Sequence, residues 1–189
     1  MPDIVARAKA LIMQPAQEWP VIAAEPADTR SLILGYAAPL SLIPAVIGLI
    51  AAWLLGGMML MRLGFGTLLV HTIARYILGL GALWVVGKII QALAPKFGGV
   101  DDEVSAMKLS VYSPTASWVA SIFILIPIIG FVLALLGLIY SIYLFYVGAP
   151  VVAKIPDDKK LPFTIVVFLC AIVLFMLIGW VIARLLPWI

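Results

Sequence analysis

His71 and Arg75, four residues apart in an otherwise apolar stretch, are the side chains best placed for chemistry in this chain of 189 residues. At that spacing they share one face of a helix. A cation held in hydrocarbon is costly enough to mark a functional position by default. The chemistry they offer is anion capture, of a lipid phosphate or a small anion, with Tyr36 or Tyr76 donating hydrogen bonds. The competing account is snorkelling, in which the Arg75 stem lies along the helix and its head reaches the outer headgroups, about ten residues or roughly 15 Å away.

The other polar clusters point to weaker chemistry. Asp101, Asp102 and Glu103, with Glu18, Glu25 and Asp28, could offer hard oxygen donors to a divalent cation, but their spacing fits no calcium loop. A solvated connection is the simpler account, and a contact face for a protein partner comes next, built from Trp19, Glu25, Asp101, Asp102 and Glu103. Met58, Met59 and Met61 carry thioethers that suit Cu(I), yet no Cys or pairing His lies near, so apolar packing is expected. Tyr140, Tyr143 and Tyr146 recur every three residues as an aromatic ridge. Pro39 and Pro44 remove two backbone donors from one apolar run and should kink it. Interrupted helices mark transporter sites when they come in matched pairs, and no second such segment occurs. Cys170 stands alone, so no intrachain disulfide or cysteine cluster is possible. With no nucleophile elbow, phosphate loop or paired carboxylates in an apolar run, the chain reads as non-enzymatic, with no metal and no cofactor.

The elements that must position these groups are membrane helices. Hydrophobic residues make up 65% of the chain and charged ones 11%, against about 25% charged in soluble domains, and the mean hydropathy is +1.22. From Leu109 to Ala153 there are 45 residues without a charge or a histidine. Since about 20 apolar residues cross a bilayer, this stretch predicts two crossings that turn near Pro127 to Gly130. Five spans follow: Ser31 to Gly57, Phe65 to Leu93, Pro114 to Pro127, Ile129 to Val152, and Pro162 to Leu186. The third is short, and a re-entrant third segment would leave four. The predicted class is all-α, a polytopic bundle with an N-terminal interfacial helix. In that helix, Asp3 to Gln14, Ile4, Ala8, Leu11 and Ile12 form the apolar face, and Arg7 and Lys9 reach toward headgroups. Pro15 and Pro20 stop it from running into the first span. Residues 1–30 are thus read as a cytoplasmic segment and residues 31–189 as the membrane domain.

Orientation follows from the basic residues. Arg7, Lys9, Arg30, Lys88, Lys96, Lys108, Lys154, Lys159 and Lys160 fall on one side, and Arg62 and Arg184 on the other. The positive-inside rule places the N-terminus in the cytoplasm and Trp188 outside, which requires an odd number of crossings. All nine acidic residues fall on the cytoplasmic side too. The net charge of +3 is scattered rather than striped, which speaks against nucleic acid. The lipid bilayer is the expected partner, with a protein partner possible on the inner face. No Gly-x-x-x-Gly seam indicates an oligomeric state.

The segment QPAQEWPVIAAEP, with Pro15, Trp19, Ile22 and Glu25, followed by YAAPL at Tyr36 to Leu40, resembles the Yip1 domain family. FGGVDDEVSAMKLSVYSPTASW, LIPIIG and LLGLIYSIYLFYVGAPVV are similar to its later half, especially in bacterial members. The resemblance covers roughly residues 9 to 183; one departure is Pro114, which follows Tyr112 and Ser113 directly. It implies five spans, a cytosolic N-terminus and, for a bacterial-type member, the inner membrane. Eukaryotic members look like adaptors that bind prenylated small GTPases, a role that transfers poorly to a bacterial-type chain. The expectation is a membrane-organising or interaction scaffold. The competing expectation is a small transporter, channel or lipid-moving protein whose pathway passes Pro39, Pro44, His71 and Arg75.

Overall fold

The protein is described from a computed structural model covering residues 3–56, 64–126 and 128–185. Met58, Met59, Met61, Arg62, Pro127 and Trp188, and the expected span ends at Gly57 and Leu186, lie outside the described residues. Among the described residues the chain is all helical.

Helix α1 (Ile4–Met13) starts at Asp3, whose carboxylate accepts from the Val5 amide at 3.0 Å. It stops at Gln14, one residue before Pro15 opens α2 (Pro15–Ala24), where a missing N–H costs nothing. The apolar stripe of α1 faces protein: Ala8 and Leu11 are buried, and Tyr140 Oη donates to the Ile12 carbonyl at 2.7 Å. Arg7 does not reach toward headgroups as expected. It is buried at 4% exposure because two carboxylates of α2 and its C-cap draw it inward, and Lys9 is left exposed.

Asp28 and Ser31 form a reciprocal capping box at the start of α3 (Thr29–Leu32). A π turn over Ile33–Ala37 then leads into α4 (Ala38–Gly56). Pro39 and Pro44 therefore do not break the helix. Pro39 lacks an N–H for the Gly35 carbonyl, and the backbone widens just before it, with the Ala38 amide bonding five residues back to Ile33.

Helix α5 (Phe65–Leu93) ends in a 3-10 turn, Ala94–Phe97, and then Gly98 at φ +86°, a conformation that favours glycine. Asp102 accepts from the Ser105 amide at 2.7 Å to start α6 (Glu103–Tyr112). Helix α7 (Thr115–Ala120) and a 3-10 segment, Ser121–Leu125, precede α8 (Ile129–Val152) and α9 (Lys160–Leu185).

Among the described residues four helices are long and apolar enough to cross a membrane: Thr29–Leu54, Phe65–Phe97, Ile129–Val152 and Lys160–Arg184. The expected third span, Pro114 to Pro127, is not a single helix. Pro114 has no N–H to extend the ladder of α6, so α7 restarts after it and tightens into the 3-10 segment. The composite path from α6 to that segment nevertheless runs the length of α8. It begins beside the C-terminal end of α8, where the Val100 amide donates to the Ala153 carbonyl at 3.0 Å. It finishes at the N-terminal end, where the Gly130 amide donates to the Ile126 carbonyl at 2.7 Å and Gly130 sits against the Phe123 backbone. The 24 residues of α8 rise about 36 Å.

The tightest packing lies at the end where the polar connections meet. Trp19, Ile22, Ile90, Met107, Leu144, Ile155 and Phe163 are fully buried there. Toward the other end, Phe131, Leu136, Val173, Met176 and Trp180 are exposed, as lipid-facing side chains are.

Candidate functional site

The polar end is knitted by ions. Arg7 donates from its two terminal nitrogens to Glu18 and Glu25, one carboxylate each. Burial opposes the Arg7 charge, but the Glu25 hydrogen bond and the charges of Glu18 and Glu25 outweigh it, and proton affinity is raised. Lys108 donates from Nζ to the Glu25 carbonyl at 2.7 Å and the Ala23 carbonyl at 3.1 Å. Its burial holds the ammonium below the usual lysine range, against the pull of Glu25 and Asp102. Lys88 Nζ meets Glu103 Oε2 at 2.6 Å, and Thr29 Oγ1 donates to Glu103 Oε1 at 3.1 Å.

These bonds redefine the residues expected to form a partner face. Trp19 is not part of any face: it is fully buried, its ring edge-on to Tyr112 at 6.4 Å. The ring also covers Gly148 on α8, where an added Cβ would strike it. Glu25 and Glu103 are engaged in ion pairs, and Asp102 caps α6. Asp101 is exposed and accepts from Gln91 Nε2 at 2.9 Å.

His71 and Arg75 stand elsewhere, on the wall of a cavity of about 690 Å³ between α4, α5, α6, α7, α8 and α9. Pro44 and Ser41 line it from α4, Tyr76 and Gly79 from α5, Trp118 from α7, Phe145 from α8, and Phe168 and Phe175 from α9. The structure thus brings His71, Arg75, Tyr76 and Pro44 together. Tyr36 and Pro39 are not among the lining residues. Tyr36 Oη pairs with Thr115 Oγ1 at 2.9 Å, and Tyr76 Oη donates to the Ala38 carbonyl at 2.9 Å.

Ser110, Ser113, Ser117 and Ser141 also line the cavity, and sequence reading missed all four. The first three recur at i, i+3 and i+7, the spacing of one helical face, and that signal could have found them. Ser110 Oγ donates to the Leu83 carbonyl at 2.6 Å, Ser117 Oγ to the Pro114 carbonyl at 2.8 Å, and Ser141 Oγ accepts from the Ser117 amide at 3.0 Å. Ser113 Oγ is buried with no hydrogen-bond partner among the described residues. None of the nine acidic residues lines this cavity. Among the described residues no group of three His, Cys, Asp or Glu could hold a metal ion.

The family model of the Yip1 domain matches residues 9–179. The chain belongs to the Yip1 domain family. No curated protein and no solved structure matches it. The Yip1 domain takes in the Trp19–Gly148 contact, the ion cluster except Arg7, and every lining residue named above. With four long apolar helices among its described residues, this Yip1 domain protein is a multi-pass membrane protein whose surroundings are the lipid bilayer.

Proposed function

We propose that this Yip1 domain protein is a non-enzymatic binding protein that holds a membrane amphiphile between its helices. The cavity carries the reading. Its volume of about 690 Å³ falls within the roughly 300–1,000 Å³ of ligand pockets, and its wall is mostly apolar with a few polar groups, as such pockets are. Along α5 its lining runs from Leu68 to Ile90, about 33 Å of helix rise, close to the roughly 30 Å hydrocarbon core of a bilayer. A ligand reaches it from the membrane.

The same proposal includes five crossings, with the N-terminus on the cytoplasmic side of a bacterial inner membrane. The fifth crossing is the composite path Leu109 to Leu125. Lys88 and Lys108 share one end of the molecule with Ala23 to Thr29, and the Val100–Ala153 bond brings the connection after α8 to that end. That clustering supports a single cytoplasmic side.

Filling the cavity tests the binding role. An added Cβ at Gly79 meets nothing within 4 Å, so Gly79→Leu puts a bulky side chain on the cavity wall from a position that is open at its first atom. Retained phospholipid, read by native mass spectrometry of the purified protein, should fall in this variant while its melting temperature holds. Unchanged retention at unchanged stability defeats the binding role. A second reading, an interaction scaffold at the polar end, draws support from the exposed carboxylates of Asp101 and Asp157. Its signature is a stoichiometric protein partner lost in Asp101→Lys and kept in Gly79→Leu.

A further inference from the structure

Resting on that binding role, we infer that the occupant is a phospholipid with a net anionic head, taken from the surrounding bilayer and held by Arg75. Arg75 is the fixed charge on the cavity wall. Among the described residues no carboxylate lines the cavity to balance it. Glu18 and Glu25 are bound to Arg7, Glu103 to Lys88 and Asp157 to Lys160, Asp3, Asp28 and Asp102 cap helices, and Asp101 accepts from Gln91; none of these, nor Asp158, lines the cavity. Arg75 is exposed, so its guanidinium, set in an otherwise apolar wall, is open to a ligand that brings the counter-charge, and its planar fork matches two oxygens of a phosphate.

A second, independent feature points the same way. Ser113 is 4% exposed, its hydroxyl has no hydrogen-bond partner among the described residues, and it lines the same cavity as Arg75. A buried hydroxyl without a partner is unfavourable, and the ester or phosphate oxygens of a lipid head would accept from it. The tail has its own wall. From Arg75 to Ile90 the lining of α5 rises about 22 Å, longer than the roughly 15 Å depth of one leaflet's hydrocarbon, and Leu80, Leu83, Phe145 and Phe168 face that stretch of the cavity with apolar surface.

The test uses the full chain, delipidated in detergent and titrated with phosphatidylglycerol or phosphatidylcholine of identical acyl chains, with bound lipid counted by native mass spectrometry. Wild type should favour phosphatidylglycerol by about tenfold, the scale of one charge-assisted contact. Arg75→Gln should bind both lipids about equally, Arg75→Lys should keep most of the preference, and Ser113→Ala should weaken both lipids modestly. If Arg75→Gln keeps the tenfold preference, or wild type shows none, the anionic assignment is overturned. The same holds if oleate displaces phosphatidylglycerol at equal concentration. If Gly79→Leu retains both lipids, the cavity is not the site at all, a different failure from loss of head selectivity alone.

Discussion

Replacing Gly148 by alanine sets two opposed effects against each other, and the structure decides the winner. In an ordinary helix interior the change is favourable by about 1 kcal/mol, because glycine has the larger backbone entropy to lose. Here the new Cβ would lie 2.5 Å from Trp19 Cε2, 2.7 Å from Cζ2 and 2.8 Å from Cδ2. Carbon atoms rest at about 3.5–4.0 Å, so the ring must retreat by about 1 Å. It has nowhere to go: Trp19 is 0% exposed, and Tyr112 stands edge-on at 6.4 Å. Overpacking of this kind costs about 1–3 kcal/mol, and a rigid ring belongs to the upper part of that range. Gly148→Ala should therefore destabilise by about 1–2 kcal/mol net. In a Trp19→Leu background, itself about 3 kcal/mol less stable, the collision is gone and only the helix gain remains. The double-mutant cycle should then show a coupling of about 2–3 kcal/mol, read from SDS or thermal unfolding of the detergent-solubilised protein. Equal costs for Gly148→Ala in both backgrounds would refute the contact.

Other expectations concern the polar end. Arg7→Met leaves two carboxylates facing each other without their cation and should cost about 3 kcal/mol, the lower end for a broken buried pair because Glu25 keeps contact with water. Adding Glu18→Gln and Glu25→Gln should recover much of that loss in the same unfolding assay. The Asp28, Asp102 and Glu103 carboxyls are held below the usual range, chiefly by Ser31, by Ser105, and by Lys88 with Thr29 respectively. A lowered carboxylate stabilises fully above its ordinary value of about 4, and that stability is lost as pH falls through the lowered folded-state value. Acidification should thus speed amide exchange at Ser31 and Ser105 before it speeds exchange in α9; simultaneous loss in all helices would contradict the assignment. A reporter active only outside the membrane should work when fused after Ile189 and fail when fused before Met1. Equal behaviour of both fusions would exclude an odd number of crossings.

Much of the architecture was legible because it depends on sums along the chain. The long apolar helices α4, α5, α8 and α9 follow from hydropathy, and helix starts follow from the short-range chemistry of Asp3, Asp28 and Asp102. The break within the third segment was not legible, because Pro114 splits its helix and apolar composition does not register a missing N–H. Trp19 was misplaced for a related reason. An aromatic residue in a polar segment looks exposed until the glycine that receives it, at position 148, is known.

Hydropathy and charge spacing alone place this chain in a bilayer, mark its polar segments and show where its charges are scarce. Lipid tests each stretch locally, residue by residue, so these properties need no partner. Which groups meet is settled by the folded arrangement of the helices: Arg7 with Glu18 and Glu25, Tyr140 with Ile12, and Arg75 and Ser113 around one cavity. Those meetings depend on how separate helices lean on one another, through side-chain packing between residues up to 128 positions apart. No local rule of periodicity or charge contains that information.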